Sequence, residues 1–268
     1  MPVEVAVDLR RPSKDRFHAI CSDVVGRAFV VHNSVGKLFD EDGFQRSLLL
    51  DVLDMGWTAV REVGIRVRHG IWAKEYFMDI LVDGGVPLEL KVVADLTPSH
   101  DAQLLNYLLL CDLGDGLLLN FGANSVQKRY VSTTLRQRDR VLDRVVQSDF
   151  VPVRHGCCRL VDSVAELIAD VGTHLSRELY LEAITAIVTA GGGTGLADTP
   201  LTYRGRSVGS RPLLCLTPRI GIQFTTLNGG TSHMLTHLRR LLTNTPFRSI
   251  HWFNLSGRDM TVRTVRGN

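Results

Sequence analysis

The stretch PLELKVV, residues 87–93, sets Glu89 and Lys91 two positions apart in an otherwise apolar run. It follows YFMDILV, residues 76–82, across Asp83-Gly84-Gly85, a turn signal between two alternating segments. With Gly84 at the centre of the turn, Val82 faces Val86, Ile80 faces Leu88 and Met78 faces Leu90, which makes one apolar face. Side chains alternate along a strand, so the opposite face carries Asp79, Leu81, Pro87, Glu89 and Lys91. In this register Asp79 stands across from Glu89, with Cβ atoms about 5 Å apart. Two carboxylates so placed repel unless a positive charge lies between them. A hydrated divalent cation held by one or two carboxylates meets that need, and Lys91 adds a positive charge beside it. The same Glu-x-Lys spacing also fits a solvent-facing salt bridge, and these residues alone leave both readings open.

The neighbouring sequence predicts the elements that hold these groups. TPSHDAQLLNYLLLC starts a helix with Ser99 as the expected N-cap, and Gln103 and Tyr107, four apart, share one face. That pair is either a surface stripe or the lining of a groove beside the charged face. GLLLNFG (116–122) and VQKRYVST (126–133) read as strands. Upstream, a helix is expected from about Asp40 to Met55, with Glu41 and Phe44 near its start. The helix dipole by itself favours a carboxylate at Glu41.

Composition bounds the remaining possibilities. A chain of 268 residues is long enough for one large domain or two small ones, each with a real core. The N-terminus MPVEVAVDLRRPSKDR has no apolar stretch of the kind a signal peptide needs. The most apolar run, LLNYLLLCDLGDGLLLNF, is broken by Asp112, Gly114 and Asp115, so no membrane span is expected. Five cysteines without CxxC spacing, two of them the adjacent Cys157 and Cys158, read as reduced thiols in a cytoplasmic protein. Net charge of +3 is too small to name a partner. Between Ala183 and Arg258, however, eight arginines face one acidic residue, Asp198. Such a stretch is an ordinary solvated surface or one that meets an anion such as nucleic acid.

In order and spacing, GKLFDEDGFQRSL, EYFMDILVDGGVPLELKVV, SHDAQLLNYL and GLLLNFGANSVQKR resemble the GxxExxY proteins, a family assigned to the PD-(D/E)XK nuclease superfamily. The resemblance spans about residues 17–135. It matches Asp79 to the metal-binding aspartate, Glu89 and Lys91 to the (D/E)-x-K pair, and Gln103 and Tyr107 to a Q-x-x-x-Y motif. Glu41 falls on the family's helix glutamate, while Phe44 stands where tyrosine is usual. The resemblance implies an α-β-β-β-α-β core with a mixed sheet, hence a mixed α/β fold. It also implies Mg²⁺- or Mn²⁺-dependent hydrolysis of nucleic acid, DNA favoured, with Asp79, Glu89 and Glu41 as metal ligands.

The C-terminal half reads as a second copy that lacks the chemistry. At an offset of 134 residues, Leu88 falls on Ile222, Leu90 on Phe224, Leu104 on Leu238 and Asn120 on Asn254. At an offset of 136, Gly36 meets Gly172 and Phe44 meets Tyr180. The functional positions change: Glu89 to Gln223, Lys91 to Thr225, Asp79 to Leu213 and Gln103 to His237. Gln223 and Thr225 replace neither a carboxylate ligand nor a cation. The expected organisation is a catalytic domain over residues 1–140 and a degenerate nuclease-like domain over 150–268, joined near QSDFVPVRHG. Such a chain is a monomer with pseudo-dimeric halves, or a homodimer. GGGTG at 191–195 reads as a turn after a helix, and His233 with His237 lacks a third metal ligand.

Overall fold

The computed structural model describes residues 2–153 and 157–267 and separates them into two compact units, one of residues up to 68 with 73–139, the other of 69–72 with those from 140 onward. The first unit runs β1 (Val3–Val5), α1 (Lys14–Val35), α2 (Glu41–Asp54), β2 (Ala59–His69), β3 (Trp72–Val82), β4 (Val86–Lys91), α3 (Pro98–Leu110), β5 (Asp115–Asn120) and β6 (Gln127–Ser132). Its sheet has the order β1-β2-β3-β4-β5-β6. β4 and β5 are parallel, and α3 is the crossover that a parallel pair requires. The predicted α-β-β-β-α-β order is present as α2-β2-β3-β4-α3-β5.

Local chemistry fixes the boundaries. Asp40 caps α2 by accepting the Gly43 N–H at 2.9 Å. α3 begins one residue before the expected cap: Thr97, not Ser99, is the N-cap, and Pro98 is the first helical residue. Proline lacks an N–H and has a fixed φ, so it belongs at that first position, and the cap moves ahead of it. His100 Nδ1 accepts the Thr97 N–H at 3.0 Å. The predicted apolar face of the β3–β4 hairpin forms the core: Ile80, Val82, Val86, Leu88 and Leu90 are buried beneath α1 residues Phe17, Ile20 and Val24 and α2 residues Phe44 and Leu48. Each such side chain contributes roughly 1.5–3 kcal/mol on burial.

The turn between β3 and β4 needs glycine at a close approach. The Gly85 N–H bonds the Val82 carbonyl at 3.0 Å, with Asp83 and Gly84 at φ 53° and 65°. A Cβ on Gly85 would lie 1.9 Å from the Arg10 carbonyl oxygen. Gly85→Ala should therefore lower the unfolding free energy by roughly 1–3 kcal/mol in urea titrations. Gly26→Ala, on the exposed side of α1 with open space around it, should raise it by about 0.5–1 kcal/mol. Equal midpoints for the two variants would contradict this account of the turn.

The second unit contains β7 (Arg144–Asp149), α4 (Cys157–Val171), α5 (Arg177–Ala190), β8 (Gly195–Tyr203), β9 (Arg206–Thr217), β10 (Ile220–Thr225), α6 (Thr231–Asn244), β11 (Ser249–Ser256) and β12 (Asp259–Arg266). Its sheet order is β7-β12-β11-β10-β9-β8. From α4 to β12 it repeats the sequence of elements from α1 to β6, including a parallel pair, β10 and β11, on either side of a crossover helix. α5 lies 136 residues after α2 at both ends, and β10 lies 134 residues after β4 at both ends. Asn120 clasps the Val93 backbone through its N–H at 3.0 Å and its carbonyl at 2.9 Å. Asn254 holds Leu227 in the same way, at 2.9 and 3.0 Å.

The two sheets differ at their borders. β1 flanks β2 in the first unit, whereas β8 is an edge strand and β7 lies beside β12 in the second. Part of the segment read as a linker, Gln147–Asp149, is therefore strand, while residues 154–156 fall outside the described residues. GGGTG forms the turn from α5 into β8. All five cysteines are free thiols. Among the described residues, no helix is long and apolar enough to cross a membrane.

Candidate active site

The β3–β4 ladder runs Val82↔Val86, Leu81↔Pro87 and Ile80↔Leu88, the predicted register, and then stops. One residue further on, the Leu90 N–H donates to Asp79 Oδ2 at 2.6 Å. A side-chain carboxylate thus replaces a strand carbonyl where the ladder ends. Glu89 is fully buried and Asp79 is only 8% exposed, which rules out the solvent-facing salt bridge. Lys91 Nζ lies 2.6 Å from Glu89 Oε1 and 3.8 Å from Glu41 Oε1 at the start of α2. β3, β4 and α2 together bring Asp79, Glu89, Lys91 and Glu41 into one electrostatic cluster.

α3 adds the other two predicted residues. Gln103 Nε2 donates to the Tyr107 hydroxyl at 3.0 Å. Tyr107 is buried, and the Tyr76 ring meets it edge-on with centroids 6.1 Å apart. Burial pushes the Tyr107 phenol up to about 12, against the Gln103 hydrogen bond, so it stays a neutral donor. The nearby charges of Glu89 and Asp79 act in the same direction as burial. Glu62, on β2 at φ 53°, also raises Asp79 and Tyr107. Sequence reasoning passed over Glu62 because a non-glycine residue at positive φ within a strand has no sequence signature.

Burial, then repulsion from Asp79, raises the Glu89 carboxyl above its ordinary range despite the adjacent Lys91. Burial raises Asp79 as well, partly offset by the Leu90 N–H. For Lys91 burial opposes the charge, but Glu89, Glu41 and Asp79 outweigh it and its pKa rises. The ammonium persists while the acid pair retains protons to higher pH than ordinary carboxylates do.

Raised carboxyl pKa values have a definite linkage sign. The folded state binds protons more tightly than the unfolded one, so the stabilisation is complete below the unfolded carboxyl range. It is lost as pH rises through the folded values. Without divalent cation, thermal unfolding should therefore move to lower temperature as pH rises from about 4, the ordinary carboxylate range, toward 8. Glu89→Gln should flatten that slope; an unchanged slope in the variant would assign the titration to other groups.

The donors suit a hard divalent cation. Glu89 Oε2 is buried with no hydrogen-bond partner, a costly state for a carboxylate oxygen unless a cation or proton meets it. Among the described residues no three His, Cys, Asp or Glu side chains are grouped closely enough to hold a metal by themselves, and Glu41 contacts Lys91. His233 and His237 on α6 are exposed and belong to no such group.

Residues 18–133 match the family model of the PD-(D/E)XK nuclease superfamily. That span includes all six predicted site residues, Glu41, Asp79, Glu89, Lys91, Gln103 and Tyr107. The superfamily consists generally of phosphodiester hydrolases acting on nucleic acid, typically with divalent metals. No curated protein matches the chain. A solved structure titled "Crystal structure of SSO0001" shares 18% identity over 44% of this chain and 68% of its own, with a TM-score of 0.25.

Proposed function

We propose that residues 17–135 form a Mg²⁺- or Mn²⁺-dependent nuclease of the GxxExxY branch that hydrolyses phosphodiester bonds, with DNA the favoured substrate. The observation that carries this reading is the buried pair Asp79 and Glu89 beside Lys91, with a Glu89 oxygen left unpartnered. Asp79 and Glu89 would hold the cation, joined by Glu41 if its side chain leaves Lys91. A bound divalent ion supplies Lewis-acid polarisation of a phosphate oxygen and an acidified water. Lys91 places its ammonium where charge grows on the phosphoryl oxygens in the transition state. Gln103 holds the Tyr107 hydroxyl, leaving its proton free to donate to a substrate oxygen. The buried site limits competition from water for these polar groups.

The repeated order of elements supports reading the second unit as a degenerate copy with no site of its own. Gln223 occupies the position of Glu89 and Thr225 that of Lys91 along matching strands. Gly221 pairs with Cys215 as Pro87 pairs with Leu81, so Leu213 holds the position of Asp79. The free thiols fit a cytoplasmic protein, and sedimentation would separate a monomer with pseudo-dimeric halves from a homodimer.

The Lys91–Glu89 contact, and the absence among the described residues of a third side chain grouped with the pair, favour a second reading, a nucleic-acid-binding protein without turnover. A panel of single- and double-stranded DNA and RNA, each incubated with Mg²⁺, Mn²⁺ or EDTA, separates the two. Cleavage that needs a cation supports the nuclease; binding without cleavage under every condition supports the silent protein.

A further inference from the structure

We propose that the β8–β9 hairpin is an arm that grips the phosphate backbone of a nucleic acid. The inference rests on the nucleic-acid reading above but not on turnover. β8 is the edge of its sheet, and every residue from Tyr203 to Pro212 is exposed. Arg204, Arg206 and Arg211 make no ion pair among the described residues, and the hairpin's one carboxylate, Asp198, accepts the Ser210 hydroxyl at 2.8 Å. The corresponding hairpin of the first unit neutralises its arginines: Arg66 bonds Glu75 at 2.8 Å, and Arg68 pairs with Glu4 on β1.

Register places these cations on one surface. Arg206 pairs with Tyr203 and Arg211 with Thr199, so both lie on the face shared by those two β8 residues. The bulge, at Val208, is on β9 and leaves the alternation of β8 intact. Four residues of strand separate the two arginine positions by roughly 13 Å. That distance is too long for one small anion to bridge and suits a linear polyanion. Arg204 occupies the turn at φ 49°, where Asn, Asp or Gly is favoured, and lies 4 residues before Val208 with its guanidinium 5.4 Å from the Tyr203 ring centre. Its selection there is unexplained by the turn and consistent with a charge needed at the tip.

The test is fluorescence anisotropy of the full chain with a labelled 30-base-pair DNA duplex and its single strand in EDTA, across a salt series. In R204Q/R206Q/R211Q, the slope of log K against log salt should fall by about 2–3, three phosphate contacts at roughly 0.7–0.9 each. The triple Arg→Lys variant should keep the wild-type slope, because neutralising phosphate needs charge more than fork geometry. Unchanged affinity and slope in the glutamine variant, with its melting temperature intact, would overturn the arm. So would tighter binding to phosphatidylserine vesicles than to duplex at equal phosphate. Cation-dependent cleavage by wild type with unaltered binding by the glutamine variant removes the arm and leaves the nuclease. Slope loss without cleavage under any metal removes the nuclease and leaves the arm.

Discussion

Glu89→Gln should lower cleavage by at least about 10³-fold while leaving the protein folded, the scale expected when a preorganised electrostatic group is lost. The substitution keeps side-chain volume in a fully buried position, so no cavity opens there. It removes the carboxylate proposed to hold the cation, and with it a charge that burial and Asp79 already destabilise. The melting temperature at pH 8 should therefore stay level or rise, although Lys91 loses its closest partner. Asp79→Asn should behave similarly, since an amide oxygen can still accept the Leu90 N–H that closes the ladder. Alanine at either position would confuse the result by leaving a buried donor or void. Single-turnover assays at saturating Mg²⁺, run beside thermal melts, provide the check; a near-native rate from either variant removes these residues from the site.

Lys91→Ala should separate catalysis from metal binding. Its ammonium touches Glu89 and lies near Glu41, where it competes with any divalent cation for the same oxygens. Removing it should therefore leave calorimetric Mg²⁺ affinity unchanged or tighter. The single-turnover rate should fall by roughly 10²–10³-fold, the loss expected for one electrostatic stabiliser in the role proposed for Lys91. Lost metal binding with a normal rate at saturating metal would reverse the assignment and make Lys91 an organiser of the carboxylates.

The placement of Asp79 and Glu89 was legible because strand alternation is strict. Once Gly84 was placed in the turn, Asp79 and Glu89 had to share a face, and the ladder from Val82 to Ile80 follows that register. The sequence did not reveal that pairing ends beside Asp79, since a carboxylate taking a strand N–H depends on the local splay of two backbones. α2 was readable from Asp40 and its apolar spacing, whereas α1 drew no prediction. Phe29 and Val30 remain exposed on α1 beside buried Val31, which blurs its amphipathic pattern. The borders of the second unit were also hidden: β7 joins β12 across more than a hundred residues, a pairing with no local signal. The offsets of 134 and 136 were visible because β10 keeps the length of β4 and α5 that of α2.

The second-unit position that matches Lys91 in register belongs to a buried polar chain. Thr225 Oγ1 receives the Trp252 indole N–H at 2.8 Å and donates to Asn254 at 2.6 Å, and Asn254 fastens Leu227. Each group satisfies the next in a buried chain. Installing a lysine at 225 would strand the Trp252 indole N–H and place a charge beside a nearly fully buried ring. Acquiring a cation site there would demand repacking of the tryptophan before any chemistry could begin. The buried network of Thr225, Trp252 and Asn254 therefore holds this unit's interior with neutral hydrogen bonds alone, where the first unit keeps Lys91 and Glu89.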